Sequence, residues 1–502
     1  MSLTSIEFIL FLLGAVVVLQ VTPRSMRTVL LTIVNFIFFY IGSGISGTLV
    51  LISVLAVVYI GARVISISNK KENLSANKRI CLLWCALTTL VALCPLLVFK
   101  YAGFVLEAAS TFISMPQNVL EGFSGLIAPL GISFFTMQGI GYLIDVYRGN
   151  RDAIVNIFDY LAFAAFFPTI VSGPIQRSYS LPAQLSRIRE ERFTTSYDQV
   201  KHGAITILWG MFLKMVIADR VALLVNTVYD AWWLYGSIEL IWATVGYALQ
   251  IFCDFAGYSC IAIGAARMMG FDAGENFNTP YLAQSVQDFW RRWHISLSTW
   301  LRDYIYIPLG GSRKGAVRRY INVFIVFAIC GIWHGAGWHF LIWGIMQGLF
   351  QCIGIATYKL RYRYYDRLGF KTSSFGWRFG RILCTFLLIC VSWVFFRAPY
   401  VSYATGILSR IIFEFNPWVL FDGSLETLGL SDLDETVLLL SVVFLVLVSL
   451  VKRFRGVNLA QFLDEQPIPF SWSVLLFLIA FVFLFGMYGP SVDASSFIYA
   501  QF

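Results

Sequence analysis

The chain has 502 residues, of which 58% are hydrophobic and only 13% charged, with a mean hydropathy of +0.73 and a formal net charge of +9. A soluble domain carries about 25% charged residues, which excludes that class; the alternating segments of roughly ten residues that mark a membrane β-barrel are absent too. What remains is an all-α polytopic membrane protein whose basic excess belongs to cytoplasmic loops and anionic lipid headgroups, with no nucleic-acid partner implied.

Apolar runs near the ~20 residues needed to cross a bilayer recur along the chain. Spans are expected at 6–22, 28–42, 48–66, 80–99, 122–147, 202–225, 236–254, 318–333, 338–357, 380–397, 436–451 and 471–489. Three further stretches, 104–113, 157–173 and 257–270, are shorter or interrupted and read as re-entrant or interfacial, so the count is about eleven to thirteen crossings. The first run has no basic residue before it and no small-residue cleavage site after it, which reads as a retained span. Basic clusters at 23–27, 69–79, 147–151, 187–192, 358–367 and 451–456 mark cytoplasmic loops. The acidic stretch 401–435 belongs outside, as does the N-terminus. This divides the chain into N-terminal helices (1–121), a catalytic core (122–400), and an outer acidic loop with C-terminal helices (401–502).

Several patterns resemble chemistry without supporting it. GSGISG (42–47) has glycine spacing of a nucleotide loop, but it joins two apolar spans and has no strand before it. The nine cysteines lie mainly within apolar runs, make no Cys-x-x-Cys pair, and read as small buried hydrophobes. His334 and His339 are five positions apart, about 140° around a helix, so they do not form a metal-ligand pair.

The polar residues that need a reason lie in the middle third. Asp254 interrupts a long apolar helix, where a carboxylate costs about 2.5–3.5 kcal/mol on insertion scales and must pair or face a cavity. The stretch 274–315 is too polar to span and too aromatic for a solvated loop. A helix over 288–305 puts Trp293, Leu297, Trp300 and Tyr304 on one face and Arg291, His294, Ser298 and Arg302 on the opposite flank. That flank suits the phosphates of an activated acyl donor, and it equally suits lipid headgroups.

Two of only four histidines fall in GIWHGAGWHFLIWG (331–344). From Arg319 to His334 a helix rises ~22 Å, deep into a hydrocarbon layer of ~30 Å. Gly335 and Gly337 follow, so a backbone or ligand can approach closely and the helix can break there. A neutral imidazole in a dry site is suited to taking a proton from a hydroxyl; a core histidine bonded to a carbonyl is the structural alternative. His339 and His202 read as interfacial.

Together these residues resemble the membrane-bound O-acyltransferase family, and most closely its alginate O-acetylase branch. The resemblance is carried by PLGISFFTMQGIGYLIDVYRG (129–149), FFPTIVSGPIQR (166–177), DFAGYSCIAIG (254–264), NFNTPYLAQSVQDFWRRWHISLSTWLRDYIYIPLGG (276–311), the Trp-His-Gly segment at 331–344, WVFFRA (393–398) and FIYAQF (497–502). It implies a helical bundle around a central tunnel and an O-acetyltransferase whose essential histidine is His334, with His294 contributing. It also implies acetyl-CoA as donor on the cytoplasmic side, an acceptor polysaccharide reached from outside, and an extracytoplasmic acetyltransferase partner protein. Two positions depart from the family pattern: Gln347 stands where a further histidine is frequent, and Cys260 where an acidic residue is. Alginate, peptidoglycan and cellulose stay open as acceptors.

On this reading the donor meets Arg291, Arg302 and Ser298 near His294 at the cytoplasmic mouth, and His334 activates the acceptor hydroxyl. A covalent acyl-enzyme on Ser296 or Ser298 is the alternative chemistry. From other classes, the rivals are a transporter or flippase for a lipid-linked sugar, with His334 and Asp254 in a proton relay, and a scaffold subunit of an export machine.

Overall fold

The computed structural model describes residues 1–69, 74–110, 113, 122, 126–190 and 195–488, and no strand occurs among them. The terminal FIYAQF block lies outside the described residues, as do parts of the expected basic loops at 69–79 and 187–192 and of the 104–113 and 122–147 stretches. The chain opens with α1 (Ile6–Val21), α2 (Arg27–Asn69), α3 (Leu74–Ser110) and α4 (Ile132–Tyr147). Short α5 (Ile157–Ala164), α6 (Phe167–Ile170) and α7 (Leu181–Glu190) follow. Next come α8 (Tyr197–Met211), a π-helical segment (Phe212–Ala218) and α9 (Asp219–Asp230), running on as one rod against α10 (Ser237–Met268). Two short helices, α11 (Val286–Trp290) and α12 (Ile295–Leu301), precede a second π segment (Arg302–Tyr306). A hairpin of α13 (Ala316–His334) and α14 (Trp338–Ala356) comes next, then α15 (Tyr358–Arg367), α16 (Phe375–Arg397), α17 (Val401–Phe413), α18 (Asp432–Arg455), α19 (Leu459–Asp464) and α20 (Ile468–Phe485).

Eight helices among the described residues are long and apolar enough to cross a membrane. The expected count is higher for concrete reasons. The stretch over 24–69 counts once, although Gly44 breaks α2 at φ 65°, where GSGISG joins the two expected spans. The rod of α8 and α9 is divided by its π segment, and α1 has only 16 residues. One boundary is corrected: 236–254 and 257–270 are a single helix, α10, because nothing in DFAGYS withholds a backbone hydrogen bond. The 157–173 stretch is two short, buried helices, too short to cross.

The charges at the ends of the long C-terminal helix complement its dipole. α18 starts at a capping box between Ser431 and Asp434, with Asp432, Asp434 and Glu435 in its first turn. It ends with Lys452, Arg453 and Arg455 before Gly456, so both charge signs oppose the helix dipole. One hydrophobic core runs from Leu3 to Val482. Within it, Lys214 of the π segment bridges Asp219 at 2.7 Å and Asp254 at 2.6 Å, tying the α8–α9 rod to α10. Asp254 is thus the partner of a buried lysine, which meets the requirement that an intramembrane carboxylate be paired.

Candidate active site

His334 is the last residue of α13, and Gly335 continues in extended backbone, so the helix breaks where the glycines suggest. The hairpin that holds it is close-packed. A Cβ on Gly331 would fall 2.4 Å from the Phe340 carbonyl oxygen, and one on Gly344 would fall 2.3 Å from that of Phe327. Small residues let two backbones touch, which is how helices associate where no hydrophobic drive exists between them. The His334 ring is buried, with Trp333, Trp343 and Phe396 centroids at 4.8, 4.9 and 5.2 Å. The indole N–H groups of Trp333 and Trp343 are buried and meet no hydrogen-bond acceptor among the described residues.

The expected single helix over 288–305 does not form. α11 stops at Trp290 and α12 starts at Ile295, with His294 between them at φ 43° and ψ 56°. That left-handed conformation is costly for a non-glycine residue, and the surroundings impose it. Asn276 does so from the preceding loop. Its carbonyl accepts the Ile295 N–H at 3.0 Å, and its side-chain oxygen accepts the Ser296 N–H at 3.3 Å and the Ser296 hydroxyl at 2.9 Å. The same oxygen lies 3.1 Å from His294 Nδ1. An atom that receives a backbone N–H is an acceptor, so Nδ1 carries the proton and Nε2 keeps the lone pair. Asn276 Nδ2 in turn donates to Ser259 Oγ at 3.1 Å.

His294 therefore does not share a flank with the arginines. It is buried at 0% exposure, faces Phe255 at 4.7 Å, and lies with its ring centroid 6.0 Å from that of Trp333, the indole that His334 also meets. Both His294 and Lys100 lie within electrostatic range of the His334 imidazole. Sequence reasoning missed Lys100 and Asn276; Asn276 sits in the quoted NFNTPY run, but nothing in its local pattern marks it.

Arg291, Ser298 and Arg302 do come together, in a cavity of about 500 Å³ that Arg319 also lines. This cavity lies at the end of α13 where the basic residues cluster. Its deeper wall is Trp290 and Phe327, with centroids 5.0 Å apart, and Trp343 lies behind Trp290 at 5.9 Å. Trp343 then meets His334 at 4.9 Å, so a layer of aromatic rings lies between the arginines and that imidazole. Gln347 braces this layer, accepting from Trp290 Nε1 at 3.1 Å and donating to Ser392 Oγ at 2.7 Å. Arg302 pairs with Asp303 at 2.8 Å, and that hydrogen-bonded carboxylate holds the guanidinium pKa above its ordinary value. On the other side of the segment, Arg177 binds Asp303 at 3.2 Å and Thr299 Oγ1 at 3.1 Å, while Asp145 accepts from Tyr304 at 2.8 Å. These contacts pin the π segment to α4 and to the irregular 174–177 segment. Ser296 and Ser298 direct their hydroxyls to Asn276 and to the Trp293 carbonyl, respectively. No cluster among the described residues is arranged to hold a metal ion.

The family model for membrane-bound O-acyltransferases matches residues 147–397. The chain is 38% identical to a probable alginate O-acetylase of Pseudomonas syringae pv. tomato, over 67% of this chain and 62% of that protein. It is 34% identical to the one of Pseudomonas putida, over 84% of each. A peptidoglycan O-acetyltransferase of Helicobacter pylori is 33% identical over 66% of this chain and 64% of its own length. The match thus spans somewhat under two thirds of the Pseudomonas syringae and Helicobacter pylori relatives.

Proposed function

Because the chain belongs to the membrane-bound O-acyltransferase family, we propose that it is a multi-pass enzyme of the bacterial inner membrane that moves acetyl groups from cytoplasmic acetyl-CoA to an extracytoplasmic polysaccharide. The relatives named as acetylating alginate and peptidoglycan support a polysaccharide acceptor. An extracytoplasmic partner protein that completes the transfer belongs to the same reading.

One observation carries the proposal: two buried imidazoles lie near Trp333 at the end of α13, and an arginine-lined cavity opens on the basic side of the aromatic layer. The donor's phosphates meet Arg291, Arg302 and Arg319 in that cavity, with Ser298 as a hydroxyl contact. Its thioester threads the aromatic layer toward His334, along the tunnel that the resemblance implies. An acceptor hydroxyl attacks the thioester carbonyl while His334 takes its proton. The new C–O bond forms, the C–S bond breaks, and the proton passes from His334 to the departing CoA sulfur. The indole N–H groups of Trp333 and Trp343 are donors for the carbonyl oxygen as it gains charge. The serine hydroxyls are committed elsewhere, which favours direct transfer over an acyl-enzyme on either. Asp254 is committed to Lys214, which weakens the relay on which a transporter reading depends.

Inverted vesicles given labelled acetyl-CoA test the proposal. Label should enter polysaccharide, and His334→Ala should abolish its entry while leaving the protein inserted. Solute movement without thioester cleavage would favour the flippase, and an unimpaired His334→Ala variant would remove the assigned base.

A further inference from the structure

Lys100 is a cation inside a candidate span, Lys78–Ser110. A lysine at the centre of a spanning helix costs about 2.5–3.5 kcal/mol on insertion scales, and such residues face protein and mark function by default. This one reaches away from its own helix. Its ammonium donates to the Trp333 carbonyl at 2.6 Å and lies 5.7 Å from the centre of the Trp333 ring. The next residue of α3 acts with it: Tyr101 donates its hydroxyl to the Ile332 carbonyl at 2.8 Å. One turn further, Phe104 packs against Trp338 at the start of α14, with centroids 5.9 Å apart. Three successive contacts from α3 thus grip the α13–α14 turn on both sides of His334.

The carbonyls held here are orphans. The last turn of a helix leaves its C=O groups without intrahelical partners, and its partial negative charge attracts a cation. α13 ends at His334 with extended backbone after it, so helix geometry alone does not hold that last turn in place. Tyr101 caps one carbonyl with a neutral group. Lys100 caps the other with a charge, at the peptide that leads directly into His334.

We infer that Lys100 is a positioning residue for acyl transfer: by gripping the Trp333 carbonyl it fixes the last turn of α13, and with it the orientation of the His334 imidazole. This inference rests on the proposed role of His334. It assigns to α3, outside the 147–397 family match, a direct part in ordering the site.

The test compares Lys100→Met, Lys100→Arg and His334→Ala in inverted vesicles, reading acetyl transfer against acetyl-CoA concentration, with thermal melts of each purified protein alongside. Methionine keeps the apolar stem and loses the donor; arginine keeps a charged donor. A misplacement of about 1 Å costs on the order of 10²-fold in rate, so Lys100→Met should lose about that in kcat, with KM for acetyl-CoA and Tm little changed. Lys100→Arg should recover most of the rate. Full activity in Lys100→Met beside an inactive His334→Ala overturns this inference alone. Activity in His334→Ala overturns the functional reading beneath it. A Lys100→Met variant whose rate falls only with its Tm, and which arginine does not rescue, overturns the positioning role in favour of a plain helix cap.

Discussion

The arginine cavity makes a graded prediction. Arg291, Arg302 and Arg319 line one space of about 500 Å³, but their surroundings differ. The Arg302 side chain is 59% exposed and already paired with Asp303. Its gain from a phosphate is screened and partly used, so Arg302→Ala should cost at most about 1 kcal/mol, or roughly fivefold in donor affinity. Arg319 is half-buried in the first turn of α13. A charge-assisted hydrogen bond there contributes about 1.5–3 kcal/mol, so Arg319→Ala should weaken acetyl-CoA binding on the order of 10- to 100-fold. Arg291 is exposed and belongs with Arg302. Titration calorimetry of the purified protein with acetyl-CoA, at low and at physiological salt, gives all three constants. The Arg302 and Arg291 effects should shrink with salt more than the Arg319 effect. Unchanged affinity in Arg319→Ala, or a rate loss at saturating donor that exceeds the affinity loss, would refute the assignment of this cavity to the donor's phosphates.

Other outcomes follow from the same contacts. Asn276→Ala removes the acceptor that fixes the His294 tautomer, and transfer should slow by roughly ten- to a hundredfold at saturating donor; an unchanged turnover would show that the tautomer is immaterial. Lys214→Met leaves two carboxylates facing each other in the core and should cost about 3–5 kcal/mol, read as a lowered Tm in detergent, because breaking a buried pair strands its partner. Where α19 meets the first turns of α8, burial alone would raise the pKa of Asp464, yet hydrogen bonds from Lys201 and His202 hold it below the usual carboxylate value. A carboxyl depressed by folding adds stability above its unfolded pKa of about 4 and loses it as pH falls further. The Tm gap between the wild type and Asp464→Asn should therefore close in acid, and a gap independent of pH would argue against an ionised clamp.

Much of the site could be read locally. The burial of His334 agrees with counting residues after Arg319, and the break after it follows from glycine chemistry, both properties of a short contiguous segment. The GSGISG junction between two helices was legible for the same reason. His294 was misplaced because helical periodicity assumes an unbroken helix, and the break at 291–294 is held by Asn276, eighteen positions earlier in sequence. Arginine placement survived that error, since Arg291, Ser298 and Arg302 still reach one cavity. Lys100 falls just past the expected 80–99 span and drew no reading there; only its contact with a carbonyl 233 positions away gives it meaning. Pairing of Asp254 with Lys214 was legible as a need for some partner, but the partner's identity depends on how α8 and α10 align.

The layer of Trp290, Phe327 and Trp343 has a bearing on the energetics of the whole cell. An energised membrane stores about 2.3 kcal/mol per elementary charge for every 100 mV, and any open water column would dissipate it. On the proposed reading these rings, packed edge to face, would act as electrical insulation that admits only a slender uncharged group pushed between them. An acetyl thioester is such a group, while protons and metal ions are not, so the proposed reaction would export acyl equivalents without short-circuiting the membrane that houses the chain.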